Sequence, residues 1–209
     1  MNCTTHGCHN SANPVYQNFC SRQHLKDFAW RDVDPKITKT PKGKRVFFYD
    51  KTTHGKNYEF SNFFPKSVHY HGVKYKTAEH AYQAEKFRYR SSNPKVAQVY
   101  QKIKNANTPR KAAAIAGKNI SLVNPKWHNK GSSPYPKKDR VMFDIVKDKF
   151  TRHPNLTRKL LKTKHYRLVE DSKVDSYWGR GANGQGENKL GRILQDVRAG
   201  IQSGKYKTN

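Results

Sequence analysis

Three polar residues in the stretch TAEHAYQAEKF, residues 77–87, have the types and the spacing to take part in chemistry. Glu79, Gln83 and Lys86 lie at i, i+4 and i+7, so a helix places them on one face. A carboxylate, an amide and an amine on one face could bind and activate a polar ligand. The same spacing is also typical of a solvated helix face, and the stretch alone leaves both interpretations open.

Two further clusters combine aromatic rings with carboxylates or amides. NYEFSNFFP, residues 57–65, contains Tyr58, Phe60 and Asn62, and VEDSKVDSYWGRGANGQGENKLG spans residues 169–191. Aromatic rings can stack on a nucleobase, while amides and carboxylates bind sugar hydroxyls. The clusters therefore predict a site for a nucleotide or a ribosyl ligand.

A run of glycines at positions 179, 181, 184 and 186 precedes the last predicted helix. Glycine lets the backbone approach a phosphate closely, and the N-terminus of a helix favours an anion. The run matches neither GxxxxGK[ST] nor a GxGxxG motif that follows a strand. It predicts a phosphate contact only weakly, because loops with several glycines also occur without a ligand.

The elements that must position these residues alternate between short strands and helices. VFFYD predicts a strand, and SVHYHGVKYKT predicts a hairpin that turns at His71 and Gly72. Helices are predicted after the pairs Asn93–Pro94 and Thr108–Pro109, over 138–150, and over the apolar positions Leu190, Ile193, Leu194, Val197 and Ile201. We predict a compact α+β domain, mostly helical, over residues 46–204, followed by a tail at 205–209.

The first residues of the chain predict a metal site. Cys3, Cys8, Cys20 and His24 have the spacing C-x4-C-x11-C-x3-H, which suits tetrahedral zinc. A segment this short cannot bury a core of its own, so we predict a small zinc finger over residues 1–32 in which zinc is structural. All four ligands come from the protein, which leaves no open position for catalysis. The alternative is an unfolded terminus with three reduced cysteines.

The charge of the chain is strongly basic. The 209 residues carry a net charge of +27, and no acidic residue occurs between Glu85 and Asp139. Residues 33–45 form a predicted basic linker. Such a field binds polyanions, which predicts nucleic acid as a partner without any sequence specificity. The alternative is a lysine-rich composition that serves only solubility.

The sequence also predicts where the protein works. It contains no run of about 18 apolar residues and begins with MNCTTHGCHN, which lacks the apolar region of a signal peptide. We therefore expect an intracellular protein, cytoplasmic or nuclear, that is neither secreted nor membrane-bound. The oligomeric state cannot be predicted.

Three stretches, YEFSNFFP, AEHAYQAEKF and LVEDSKVDSYWGRGANGQGENKLGRIL, resemble in the same order the signature blocks of the NADAR family, the NAD- and ADP-ribose-associated proteins related to YbiA. The resemblance implies an N-glycosidase fold that is helical with a small sheet. It also implies cleavage of ribosyl N-glycosidic bonds, in some members on early riboflavin-pathway intermediates and in others on guanine bases modified with ADP-ribose.

The positions within these blocks imply site residues. Glu79, Lys86 and Asp175 are the predicted catalytic residues. The predicted ligand contacts, from the resemblance and from the polar clusters, are Tyr58, Phe60, Asn62, Gln83, Trp127, Tyr177, Trp178, Gly179, Gly184 and Asn188. One departure from the family is the connection from Trp127 to Met142, HNKGSSPYPKKDRV, which is several residues longer than usual.

The predicted chemistry assigns a task to each catalytic residue. The helix N-terminus and Lys86 both favour an ionised Glu79, which suits a base or a charge stabiliser. Asp175 would orient ribose hydroxyls or share the water, and Lys86 would donate a proton or bind the leaving group. We expect catalysis without a metal and removal of ADP-ribose from nucleic-acid bases. The alternatives are hydrolysis of ribosylamino riboflavin intermediates and a binding module without catalysis.

Overall fold

The structure is a computed structural model, and it describes residues 44–89, 91–131, 133 and 135–209. Outside the described residues lie the four predicted zinc ligands, Cys3, Cys8, Cys20 and His24. The zinc finger therefore stays a prediction. In the part of the chain that the structure describes, no helix combines the length and the apolar character that crossing a membrane requires.

Helices form most of the domain. Their bounds are α1, Ala78–Glu85; α2, Pro94–Asn105; α3, Pro109–Lys118; α4, Lys137–Arg152; α5, Pro154–Lys162; and α6, Lys189–Gln202. The side chains of Thr77, Asn93 and Thr108 cap α1, α2 and α3 by accepting backbone N–H groups of the first turn. The predicted starts of α2 and α3 are confirmed. The sequence analysis missed α5, because a single residue, His153, separates it from α4.

The strands form two separate pairs. β1, Arg45–Phe48, runs parallel to β4, Arg167–Glu170, with Phe48 opposite Glu170. β2, Val68–Tyr70, and β3, Val73–Tyr75, form an antiparallel hairpin. Its turn residues, His71 and Gly72, both have positive φ angles, of 47° and 74°, as a tight hairpin turn requires. The hairpin and its turn were predicted from the sequence, whereas β4 was not.

The core lies between α4, α6 and the sheet of β1 and β4, with α1 against α4. Of the five residues of α6 that the periodicity predicted to be apolar and inward, Leu190, Ile193, Leu194 and Val197 are buried, and Ile201 is half-buried. On the other side, α1 packs against α2 and α3. This arrangement places α1, whose face carries Glu79, close to the loop that connects β4 to α6.

The last residues return to the domain instead of forming a free tail. The ring of Tyr206 lies against Gly200 of α6 and makes an edge contact with Phe143 of α4. The amide of Asn209 donates to the carbonyl of Thr151 at 3.0 Å. A side chain at position 200 would collide with the ring of Tyr206, which explains a glycine inside this helix.

Candidate active site

Glu79 of α1 is buried and pairs with the half-buried Gln83 one turn further along the helix. Glu79 is 8% exposed, and its Oε1 accepts a hydrogen bond of 2.7 Å from Nε2 of Gln83. The backbone amide of Glu79 donates to the carbonyl of Asn62 at 3.1 Å, which joins the first polar cluster to the helix. The solvated-face alternative is therefore excluded for Glu79.

Lys86 follows the last residue of α1 and faces the same site. Burial lowers the pKa of Lys86, and the charge of Glu79 acts in the opposite direction. Its Nζ lies 5.2 Å from the centre of the Tyr82 ring. Lys86 is therefore partly desolvated beside an aromatic face and within electrostatic reach of Glu79, as the sequence spacing predicted.

The electrostatic balance at Glu79 differs from the prediction. Burial raises the pKa of Glu79, and the nearby Asp175 raises it further, while Gln83 and Lys86 lower it. The expectation that Lys86 and the helix N-terminus would dominate is wrong, because the cost of removing the carboxylate from water is larger. Glu79 is thus a carboxyl that needs Gln83 and Lys86 to remain an anion.

Asp175 lies in the loop between β4 and α6, residues 171–188. Its Oδ1 accepts two backbone hydrogen bonds, 2.9 Å from the amide of Tyr177 and 2.7 Å from the amide of Trp178. The carboxylate therefore fixes the two aromatic residues that follow it. Because Asp175 acts electrostatically on Glu79, the structure brings together the predicted catalytic residues of the second and third sequence blocks.

The glycine run folds the same loop onto itself. The amides of Gly181, Gly184 and Gly186 donate to the carbonyls of Asp175, Gly181 and Arg180. Gly179 is needed for close packing, since a Cβ there would lie 2.8 Å from the Cβ of Ser172. Three of the four glycine amides therefore already have partners inside the loop, and the phosphate contact stays a prediction.

The start of α6 is closed to an anion in the same way. The amides of Lys189 and Leu190 donate to the carbonyls of Tyr177 and Trp178. The predicted ligand contact Asn188 is wrong: its Oδ1 accepts from the amide of Glu170 at 2.9 Å, and its Nδ2 donates to the carbonyl of Leu168 at 2.9 Å. The amide group of Asn188 thus joins β4 to α6.

Two predicted aromatic ligand contacts lie in the core. Phe60 is 1% exposed and packs between the rings of Phe48 and Phe150, both at 5.9 Å. Trp127 is 1% exposed and packs against Tyr82 at 5.4 Å. Neither ring presents a face to a ligand, so both predictions are corrected to packing roles. An aromatic residue beside polar residues in sequence does not by itself distinguish the two roles.

The rings that remain available are half-buried. Trp178 meets Tyr82 edge to face at 5.5 Å and Tyr177 at 5.1 Å. Tyr58, also half-buried, donates its hydroxyl to the carbonyl of Phe63 at 3.2 Å. Gly184 is exposed at the tip of the loop. Tyr177 and Trp178 are therefore the rings best placed to contact a bound base.

Three buried side-chain oxygens around α1 have no hydrogen-bond partner among the residues that the structure describes. They are Oδ1 of Asn62, Oε1 of Gln83 and Oε2 of Glu170, one from each of the three polar clusters. Buried polar atoms without a partner in the protein point to a ligand or to water. Each of the three oxygens can accept a hydrogen bond, which suits the hydroxyl groups of a sugar.

Glu170 was missed in the sequence, although it lies in the third cluster. Glu79 and Asp175 both act on its carboxyl group as neighbouring negative charges. The available signal was its position as the polar last residue of an apolar strand, RLVE. The described residues contain no group of three or more His, Cys, Asp or Glu side chains that could hold a metal ion.

Two further charged residues anchor the site and were not predicted. Asp139, 1% exposed in the first turn of α4, accepts a hydrogen bond of 2.6 Å from the hydroxyl of Tyr177. Lys149, 0% exposed, donates its Nζ to the carbonyls of Glu59 at 2.7 Å and Ser61 at 2.8 Å. Asp139 thus holds the loop that carries Asp175, and Lys149 holds the turn before Asn62.

Comparison with known proteins places this fold and site in one family. The model of the NADAR domain matches residues 47–202. An N-glycosidase from Nostoc punctiforme is 37% identical over 144 residues, covering 69% of this chain and 85% of that protein. The N-glycosidase YbiA of Escherichia coli is 31% identical over 143 residues, covering 67% of this chain and 79% of YbiA.

Other similarities extend to a riboflavin protein and to a solved structure. The chloroplastic riboflavin biosynthesis protein PYRR of Zea mays is 37% identical over 151 residues, which are 68% of this chain and 23% of that protein. The NMR structure of E. coli YbiA has a TM-score of 0.63 at 28% identity, covering 78% of this chain and 87% of YbiA. With a family model that matches most of its length, the chain belongs to the NADAR family.

Proposed function

We propose that the protein is an N-glycosidase that hydrolyses a ribosyl N-glycosidic bond. The observation that carries the proposal is the buried Glu79, hydrogen-bonded to Gln83, with Lys86 and Asp175 within electrostatic reach. The names of two relatives, both N-glycosidases, point to the same reaction. A module that only binds would have little need to bury carboxylates beside one another.

The reaction requires what this site contains. Cleavage of the bond between C1′ and nitrogen develops positive charge on the sugar, and a nearby carboxylate stabilises that charge. Glu79 takes this position in the proposal, and Gln83 and Lys86 favour its anion against the larger cost of burial. A carboxylate must also accept a proton from the attacking water, a task open to Glu79 or Asp175.

The ligand is proposed to be a ribosyl group with an aromatic base. The acceptor oxygens of Asn62 and Gln83, which lack partners among the described residues, would receive hydroxyl groups of the sugar. The half-buried rings of Tyr177 and Trp178 would stack on the base. Catalysis is proposed to need no metal, and zinc is proposed only as a structural ion of the N-terminal segment.

For the substrate, we favour ADP-ribose attached to a nucleic-acid base. The supporting observation is the acid-free stretch between Glu85 and Asp139, which includes α2 and α3. The exposed cations of α2 and α3 are Lys95, Lys102, Arg110, Lys111 and Lys118. A small phosphorylated metabolite needs a few positive groups at the site, whereas charge spread over two exposed helices suits a long polyanion.

A second substrate is favoured by a different observation. Relatives from Zea mays and Vibrio vulnificus are named riboflavin biosynthesis proteins, so a phosphorylated ribosylamino intermediate is the alternative. A third possibility, recognition of ADP-ribose without hydrolysis, would use the same rings and acceptor oxygens but no proton transfer.

The experiment that tests the proposal compares Glu79→Gln with Glu85→Gln. Both residues are buried in α1, but Glu85 bonds to the hydroxyl of Tyr75 at 3.1 Å and lies away from Gln83. We expect Glu79→Gln to slow release of the base by about 10²–10⁴-fold and Glu85→Gln to change kcat little. Equal rates for Glu79→Gln and the native protein would refute the proposal. Equal losses in both variants would indicate damage to α1 and not lost chemistry.

A further inference from the structure

The main chain of Glu170 belongs to the sheet of β1 and β4. Glu170 is the last residue of β4 and lies opposite Phe48 of β1. Its amide donates to Oδ1 of Asn188 at 2.9 Å, and its carbonyl accepts from the amide of Arg180 at 3.0 Å. Both backbone groups are therefore used, so the main chain from which the side chain of Glu170 extends is fixed.

The charged groups around Glu170 all disfavour its anion. Burial raises the pKa of Glu170 to about 8, and the charges of Asp175 and Glu79 contribute to the increase. The neighbouring Asp171 is paired with Arg180 and contacts His54, so the guanidinium group of Arg180 is already engaged. Lys86 acts on Glu79. A carboxyl in these surroundings stays protonated at neutral pH.

One oxygen of the carboxyl group of Glu170 is unused within the described part of the chain. Oε2 of Glu170 is buried and has no hydrogen-bond partner among the described residues. A buried carboxylic acid without a partner is costly, and this cost is removed when a ligand supplies an acceptor. The carboxyl group of Glu170 therefore carries a proton, extends from a fixed main chain and has an oxygen, Oε2, that is free to bond a ligand. Glu79 and Asp175 lie within electrostatic reach of this group.

We propose that Glu170 is the general acid of the site, which donates its proton to the leaving nitrogen. This proposal rests on the proposed N-glycosidase function. It replaces the prediction that Lys86 is the proton donor, because Lys86 has a task in keeping Glu79 ionised.

The proposed step balances without any other reactant. The bond between C1′ and nitrogen breaks, its electron pair moves to the nitrogen, and the nitrogen takes the proton of Glu170. The oxygen of water forms a bond to C1′, and Glu79 takes one of its protons. Transfer of that proton from Glu79 back to Glu170 restores the starting state. The products are the free base and the ribosyl hemiacetal.

The test uses two substrates with the same sugar phosphate and different leaving groups. One carries an unactivated base that must be protonated to leave, and the other carries 4-nitrophenolate, which leaves as an anion. We expect Glu170→Gln to lower kcat by about 10²–10⁴-fold on the first and by less than about 10-fold on the second. Equal losses on both substrates, or no loss on either, would overturn the assignment of a general acid.

Two further measurements keep the test decisive. In the native protein, the rate on the unactivated substrate should fall above about pH 8, the pKa of Glu170, while the rate on the 4-nitrophenyl substrate should not. This measurement uses only the native protein, so it stays informative even if Glu170→Gln folds poorly. A rate that falls above about pH 8 with both substrates would refute the proposal. If the native protein cleaves neither substrate, the proposed N-glycosidase function is refuted. If the native protein cleaves the substrates and Glu170→Gln cleaves them at the same rates, only the assignment of Glu170 as the general acid is refuted.

Discussion

The charges beside α1 are buried and act on one another, whereas the charges of α2 and α3 are exposed and face solvent. At the site, Asp175 raises the pKa of Glu79, and Asp175 and Glu79 together raise the pKa of Glu170, because little water screens these charges. On α2 and α3, lysines such as Lys102 and Lys111 are surrounded by water and counterions. Single substitutions should therefore have large effects at the site and small, additive, salt-dependent effects on the two helices.

The largest expected effect outside the chemistry is at Lys149. Burial lowers the pKa of Lys149 from 10.5 to about 7, so between these values the unfolded chain binds more protons than the folded protein. The free energy of unfolding should therefore rise with pH over this window, by up to about 1.4 kcal/mol per pH unit from this group. Urea unfolding of the native protein and of Lys149→Met from pH 7 to 10 measures the difference.

The matched control for Lys149 is an exposed lysine. Lys102→Met removes the same charge from the surface of α2, and its difference from the native protein should not depend on pH. If Lys149→Met and Lys102→Met change the free energy of unfolding with the same dependence on pH, burial of Lys149 does not have the predicted effect on stability.

The next effect concerns the hydrogen bond from Tyr177 to Asp139. Tyr177→Phe leaves the buried carboxyl group of Asp139 without its partner, which should cost about 1–3 kcal/mol of stability. Since Tyr177 follows Asp175 in the same loop, kcat should also fall, by about tenfold. Tyr89→Phe is the control, because Tyr89 donates to the carbonyl of Leu122 at 3.1 Å, away from the site. A normal kcat for Tyr177→Phe would show that this bond does not position the loop.

A smaller effect is expected from the exposed charges. The double variant Lys102→Glu with Lys111→Glu should weaken binding to duplex DNA several-fold and reduce the slope of log K against log salt by about 0.9 for each lost phosphate contact. Lys162→Glu with Lys207→Glu changes the net charge equally but lies off these two helices. Equal weakening by both pairs would assign the affinity to net charge alone. Rates on a small ribosyl substrate should be unchanged in both.

The smallest effect on catalysis should come from the predicted zinc ligands. Cys20→Ser in the full chain should abolish binding of one zinc ion, measured by metal analysis, and should leave hydrolysis of a small ribosyl substrate unchanged. Zinc retained in this variant would contradict the predicted ligand set. A loss of hydrolysis that added zinc restores in the native protein would contradict the proposal that zinc is only structural.

The sequence predicted those parts of the fold that depend on local rules. The caps Asn93 and Thr108 and the turn at His71 and Gly72 were correct, because the residues that start a helix or turn a hairpin act within a few positions. β4 was missed because its partner, β1, is more than 100 residues away in the chain and no local signal reports a parallel pairing.

The site was predicted in its residue types but not in its contacts. Glu79, Gln83 and Lys86 followed from helix spacing, and the family resemblance added Asp175. Phe60 and Asn188 were misplaced because a ring or an amide can serve a core or a ligand equally well, and only three-dimensional neighbours distinguish the two. Glu170 could not be identified from the sequence as a site residue. Its pKa is raised by the carboxyl groups of Glu79 and Asp175, which come within electrostatic reach of it only in the folded chain.

The most direct test of the central proposal is to identify the products. The native protein is incubated in ¹⁸O-labelled water, separately with ADP-ribosylated DNA and with a ribosylamino-pyrimidine phosphate, and the released molecules are analysed by mass spectrometry. The proposed function predicts an intact free base or amine together with a sugar product that carries one ¹⁸O atom. Binding of either substrate without release of a base, at any salt concentration, would contradict it and leave only the binding module.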